Sequence, residues 1–90
     1  MYLAKVIGTV VSTSKDERLI GFKLMLTRRV DENGEATGSP EVCVDTVGAG
    51  TGETVIVTKG SSARLAADRP QAPLDATIVG IVDAVEIENA

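Results

Sequence analysis

The chain has 90 residues, a net charge of −4, no histidine, one cysteine and three prolines, with one Tyr, one Phe and no Trp. That length predicts one domain, residues 1–90, with a thin core. An acidic balance with no basic run longer than Arg28-Arg29 argues against nucleic acid and anionic membrane as partners, because both need Lys and Arg to meet phosphate.

Further classes drop out on chemistry. Without histidine the chain lacks the commonest general base and the commonest metal ligand, so no metal and no cofactor is expected. A lone cysteine forms no intrachain disulfide, which points to a reducing cytosolic setting. No apolar run approaches the roughly 20 residues of a membrane-crossing helix. The start, Met1 to Val6, has no charged leader followed by a long apolar stretch, so no signal peptide is expected. Apolar residues make up 43% of the chain, and Val, Ile, Leu and Ala dominate them. Branched aliphatics of this kind favour strands.

Tyr2 to Thr13 reads as a first strand, with Leu3, Val6, Ile7, Val10 and Val11 spread over both faces. Such a strand is covered on both sides, and Gly8 within it signals a bulge, a barrel bend or a close backbone neighbour. Ser12 to Arg18 is a polar loop. Leu19 to Arg28 is a second strand with period-2 alternation: Ile20, Phe22, Leu24 and Leu26 on the apolar face, Gly21, Lys23, Met25 and Thr27 on the other. The stretch from Arg28 to Pro40 is a turn region. In it, Asn33-Gly34 marks a tight hairpin, since both residues tolerate positive φ.

Glu41 to Val47 is a third strand. Its Cys43 reads as a small buried hydrophobe. Thr54 to Lys59 is a fourth strand. Gly60 to Asp68 is the one helix candidate, with Ser61 or Ser62 as N-cap, ended by Pro70. Asp75 to Glu88 is a fifth strand, with Gly80 inside it and Asp83 interrupting its apolar run. Short strands with internal glycines and one short helix before the last strand predict an all-β fold: a small five-stranded OB-like β-barrel.

Between the third and fourth strands lies Asp45-Thr46-Val47-Gly48-Ala49-Gly50-Thr51-Gly52-Glu53. Its alternate glycines invite a phosphate cradle. A Walker loop needs Lys-Ser or Lys-Thr after its last glycine, whereas Glu53-Thr54 follows here. The dinucleotide pattern also fails, since a strand rather than a helix comes next. The scattered acids Asp45, Glu53, Asp75 and Asp83 make no recognisable acid–base pair. A single-strand nucleic-acid site needs aromatic platforms in a basic groove, and Tyr2 and Phe22 are the only aromatics. An enzyme therefore has no residues to nominate. A small barrel that binds a ligand or a single strand stays open as an alternative.

Segments along the whole chain resemble one family. They are Lys5-Val6-Ile7-Gly8-Thr9-Val10-Val11, Thr13-x-Lys15, Leu19-x-Gly21-x-Lys23-Leu24, Val44-Asp45-Thr46-Val47-Gly48-Ala49-Gly50-x-Gly52-Glu53, Gly60-Ser61-Ser62-Ala63-Arg64, Asp75-Ala76 and Gly80-Ile81-Val82-Asp83. Together they resemble the EutN/CcmL family of bacterial microcompartment shell proteins, the pentameric vertex proteins. The Arg28 to Pro40 hairpin carries no family signature.

The resemblance implies a ring of five chains that closes a vertex of a polyhedral protein shell in the cytoplasm, among hexameric shell proteins. It implies that Gly48, Ala49, Gly50, Thr51, Gly52 and Glu53 line a narrow five-fold pore. It further implies that Ser61, Ser62, Ala63, Arg64 and Asp83 lie at the subunit interface, with Lys15 at the outer edge. A ring of heterologous contacts also accounts for strands apolar on both faces and for a chain with no visible catalytic site.

Overall fold

Alternation along each strand sends one set of side chains inward and the other outward, and here the sheet closes on itself. A computed structural model describes residues 1–13 and 15–88. Five strands, β1 (Tyr2–Val10), β2 (Lys23–Val30), β3 (Ala36–Asp45), β4 (Thr54–Lys59) and β5 (Ala76–Val82), form a closed barrel in the order β1-β2-β3-β5-β4. One helix, α1 (Gly60–Ala66), precedes the last strand. This is the fold class the sequence predicts. All pairings are antiparallel except β3 with β5, where Val44 meets Thr77 and Asp45 meets Ile78. A parallel pair needs a long crossover, and β4 with α1 supplies it.

The barrel interior is small and aliphatic. Ala4, Val6, Met25, Cys43, Ala49, Val55, Val57, Ala76 and Ile78 form one buried cluster. Alanines suit the narrow bore of a five-stranded barrel, and fully burying a side chain such as Met25 contributes roughly 1.5–3 kcal/mol. The buried Thr27 hydroxyl is satisfied within this core, 3.3 Å from the Glu41 carbonyl and 3.2 Å from Cys43 Sγ. Cys43 is thus the buried small hydrophobe expected of it, and burial pushes its thiol pKa up, which keeps it unreactive.

A second cluster lies outside the barrel wall. Val44, Ala63, Ala67, Ala72 and Leu74 pack with the half-buried Leu19, Phe22 and Leu24. This inverts the expected reading of β2: Met25 and Thr27 enter the barrel, while Phe22 and Leu24 turn outward under α1 and the segment after it. β2 and β3 therefore bury apolar residues on both faces, whereas β1, expected to be covered on both sides, leaves Lys5, Ile7 and Thr9 of its outer face exposed within this chain.

The internal glycines behave as expected. Pairing of β1 with β2 shifts between Val6 and Gly8, leaving Ile7 as the bulged residue. At Gly80 a Cβ would lie 3.3 Å from the Ile56 side chain, so the close neighbour is real.

Several boundaries differ from those expected. β1 ends at Val10 rather than Thr13. β2 starts at Lys23 rather than Leu19, because a 3₁₀ turn at Glu17–Leu19 and Gly21 at φ +95° redirect the chain. β3 starts at Ala36 rather than Glu41 and stops at Asp45. Its polar first half is held by the hairpin, in which Gly34 N–H donates to Asp31 O (3.0 Å) and the Asp31 carboxylate accepts from Asn33 and Glu35 N–H. Only Gly34 in that turn has positive φ; Asn33 does not. β5 covers Ala76–Val82 rather than Asp75 to Glu88, because its partner β4 begins opposite Val82, at Thr54.

Candidate functional site

The glycine loop sits at the barrel end where Lys5, Thr54 and Val82 lie in register. Its base is tied to β1 by Val6 N–H to Glu53 O (2.9 Å) and Gly52 N–H to Val6 O (2.8 Å). Two acids organise the rest. The Asp45 carboxylate accepts from the backbone N–H groups of Val47 (3.0 Å), Gly48 (3.2 Å) and Ala49 (2.8 Å). Glu53 Oε1 accepts from Gly50 N–H at 2.6 Å. Successive N–H groups in a turn make an anion nest, and here the chain's own carboxylates fill it. The N–H groups of Val47, Gly48, Ala49 and Gly50 are therefore not open to a phosphate.

Each glycine has its own reason. Gly48 and Gly52 hold φ of +80° and +93°, which costs other residues about 1–2 kcal/mol. Gly50 has an ordinary φ, but a Cβ there would come within 3.3 Å of Glu53 Oε1. What approaches Gly50 within this chain is therefore Glu53. Ala49 points the other way from the role expected of it. Its side chain is 1% exposed and belongs to the barrel core, so only its backbone is available to line an axis. Thr51 and Gly52 are exposed and Glu53 is half-buried.

Asp83, the first residue past β5, is exposed at this same end. Ser61, Ser62 and Arg64 lie at the opposite end, because α1 follows β4 directly. Gly60, at φ +65°, makes that junction possible without a loop. The serines are exposed and do not cap the helix. Lys59 occupies the N-cap position with no side-chain cap. Instead Asp75 reaches Gly60 N–H with its backbone O (2.9 Å) and its carboxylate (3.2 Å). Lys59 bonds Glu41 (2.7 Å) and Asp75 (3.1 Å), and the Lys59 ammonium holds the Asp75 carboxyl below its ordinary range.

Ala63 is fully buried against the barrel, and its carbonyl accepts from the Thr77 hydroxyl at 2.8 Å. It packs within its own chain, so its side chain is not an interface residue. Arg64 is half-buried and donates to Leu74 O at 3.1 Å, which anchors it beside the segment it faces. The helix ends one turn before Pro70, through Asp68 at φ +55° with Asp68 N–H on Leu65 O and Arg69 N–H on Arg64 O. This is a Schellman closure. Lys15 is exposed and donates to Ser12 O.

Neither aromatic offers a stacking platform. The Arg29 guanidinium lies 4.4 Å from the Tyr2 ring centroid and the Arg69 guanidinium 5.5 Å from that of Phe22. Among the described residues no group of three His, Cys, Asp or Glu side chains is placed to hold a metal ion, and no helix is long and apolar enough to cross a membrane. Each acid at the glycine loop is committed to backbone N–H groups.

Comparison with known proteins identifies the family and the fold. The family model described as ethanolamine utilisation protein EutN/carboxysome matches residues 1–83. The bacterial microcompartment shell vertex protein GrpN of Rhodospirillum rubrum is 57% identical over 99% of this chain and 100% of its own. Its solved structure, described as a pentameric microcompartment shell protein, superposes with a TM-score of 0.88 over 98% of this chain and 100% of that one. The carboxysome shell vertex protein CcmL of Synechocystis is 49% identical over 99% of this chain and 89% of its own.

Proposed function

This chain belongs to the EutN/CcmL family, and on that premise we propose that it is a structural protein: five copies form a ring that closes a vertex of a bacterial microcompartment shell. The carrying observation is 57% identity, across nearly the entire length of both chains, to a protein solved as a pentameric shell protein. The ring sits in the cytoplasm among hexameric shell proteins, and the protein performs no catalysis.

In this reading the ring axis runs past the glycine loop. Gly48, Gly50, Thr51, Gly52 and Glu53, with the backbone of Ala49, line a narrow pore. The support is the loop's position at one barrel end and its lack of bulky side chains. Ser61, Ser62, Arg64 and Asp83 meet the neighbouring subunit. All four are wholly or partly exposed, and Arg64 keeps further guanidinium donors beyond the one bonded to Leu74.

Native mass spectrometry tests the assembly. A mass of five chains is expected, and a monomer at micromolar concentration removes the vertex reading. The pore assignment has its own test: Thr51→Trp in an intact five-chain ring must reduce the axial opening seen by electron microscopy. An unchanged opening puts the loop elsewhere.

A further inference from the structure

Two surfaces of this chain are each incomplete, and they complement one another. The first is the outer face of β1, β2 and β3. On it Lys5 and Arg28 stand directly opposite in register; Lys5 is exposed between the buried Ala4 and Val6, and Arg28 is half-buried and follows the buried Thr27. Like charges so placed repel, and among the described residues neither has an acidic partner within ion-pair distance. Beside them Leu26 pairs with Val42, which is 48% exposed. Val42 opens onto a cleft of about 180 Å³ walled by Leu24, Val44, Pro73 and Leu74.

The second surface is the segment 83–88. It leaves the barrel after Val82, forms no strand, and is exposed at every position. Val85 and Ile87 are 45% and 54% exposed. The segment carries Asp83, Glu86 and Glu88 and no basic residue. Two cations lack an acidic partner beside a half-open apolar strip on one surface, while three acids and two aliphatics are exposed on the other.

We propose that in the ring the segment 83–88 of one copy seats on the outer face of β1–β2–β3 of the next, with Val85 and Ile87 covering Val42 and its cleft and the acids meeting Lys5 and Arg28. The occupant is a second copy because a chain does not readily reach its own cleft. The segment departs at the Thr54–Val82 end, whereas the cleft borders Ala76 at the other end of β5. Folding back needs a reversal; the one turn former, Asp83, already sits at the bend where the segment leaves the barrel, and 84–88 contains no Gly, Pro, Asn, Asp or Ser to make another. One copy's tail on the next copy's face is a heterologous contact, the kind that closes a ring.

This inference rests on the five-chain reading, and the experiment separates the two. Native mass spectrometry is run on the full chain, on a chain ended after Asp83, and on a Val42→Cys/Ile87→Cys double variant. The full chain is expected at five subunits. The shortened chain is expected to fall to monomer while its circular dichroism and melting temperature match those of a folded barrel. The double variant, oxidised and run on a denaturing gel, is expected to give a covalent ladder reaching five. Cys43 is buried in the barrel, so neither single variant should pass a dimer.

A shortened chain that stays pentameric, or a double variant without higher rungs beside a pentameric full chain, overturns the tail seat and leaves the ring intact. A monomeric full chain overturns both.

Discussion

The glycine loop and the outer face of β1–β2–β3 treat their polar groups in opposite ways. In the loop, four backbone N–H groups end on carboxylates of the same chain, three on Asp45 and one on Glu53. On the outer face, Lys5 and Arg28 face each other without an acid, and Val42 lies half open beside an apolar cleft. The loop is dense in recognisable residues because it must close on itself. On the face, Lys5, Leu24 and Val44 fall in family segments, but Arg28 and Val42 do not. Residues that mark a family in sequence are thus not always those that touch the neighbour.

The largest effect that tests this contrast is at Asp45. Asp45→Ala removes the acceptor of three N–H groups at once. Hydrogen bonds to charged groups are worth about 1.5–3 kcal/mol, and water replaces part of the loss for the exposed donors. A destabilisation of about 2–3 kcal/mol is expected in urea unfolding of the monomeric, tail-shortened chain. A loss below about 0.5 kcal/mol means the carboxylate does not hold the loop.

Next come the glycines themselves. Gly48→Ala and Gly52→Ala meet no neighbouring atom within 4 Å, so their cost is backbone strain alone, about 1–2 kcal/mol each. Gly50→Ala has no such strain. It crowds Glu53 Oε1, the mobile end of a side chain, and is expected to cost less than either. Equal costs at all three sites would mean that a shared constraint, such as the ring axis, governs the loop. Unfolding of monomer and of ring, compared, separates the two sources.

Smaller again is the effect on the outer face. Val42→Ser exposes no core, since Val42 is already half open, and an exposed substitution of this kind shifts monomer stability by about 0.5 kcal/mol or less. The same change is expected to weaken the ring strongly in dilution experiments. A stability loss in the monomer as large as that of Asp45→Ala would show that the face belongs to the fold and not to an interface.

The sequence shows the five strands, the helix before the last one and the bulge at Gly8, because branched aliphatics and internal glycines signal them locally. Other features are hidden for physical reasons. The first half of β3 is polar and exposed, held by pairing with β2 and by the Asp31 turn, so it carries no periodicity. The barrel face of β2 is the more polar one, Met25 with Thr27, because Phe22 and Leu24 serve the outer cluster. Asp75 caps α1 from 15 residues downstream, which no local cap pattern reveals, and so the serines look like caps. Ala49 and Ala63 sit within family segments, yet both face inward. Their small size fits the core as well as it fits an interface, and composition alone does not separate the two.

The turn at Asp16, which also closes on its own side chain, gives the weakest prediction, through pH. Asp16 accepts from Arg18 N–H (2.9 Å) and pairs with its guanidinium (2.7 Å), while Arg18 also donates to Gln71 O (3.0 Å). These side-chain and backbone hydrogen bonds lower the Asp16 pKa from 3.8 to about 2. The folded state therefore binds fewer protons than the unfolded state between those values. Its contribution is fully present above the unfolded pKa and is lost as pH falls toward 2. Asp75, lowered by Lys59, acts in the same direction.

Both groups are exposed, so the effect is small and weakens in salt. The urea midpoint of the shortened chain is expected to fall between pH 4 and pH 2, less steeply in Asp16→Asn and less steeply at high salt. Parallel curves for the two chains would mean that the Asp16–Arg18 contact does not persist in solution. The self-closing pattern would then hold at Asp45 and Glu53 but not across the chain's surface loops.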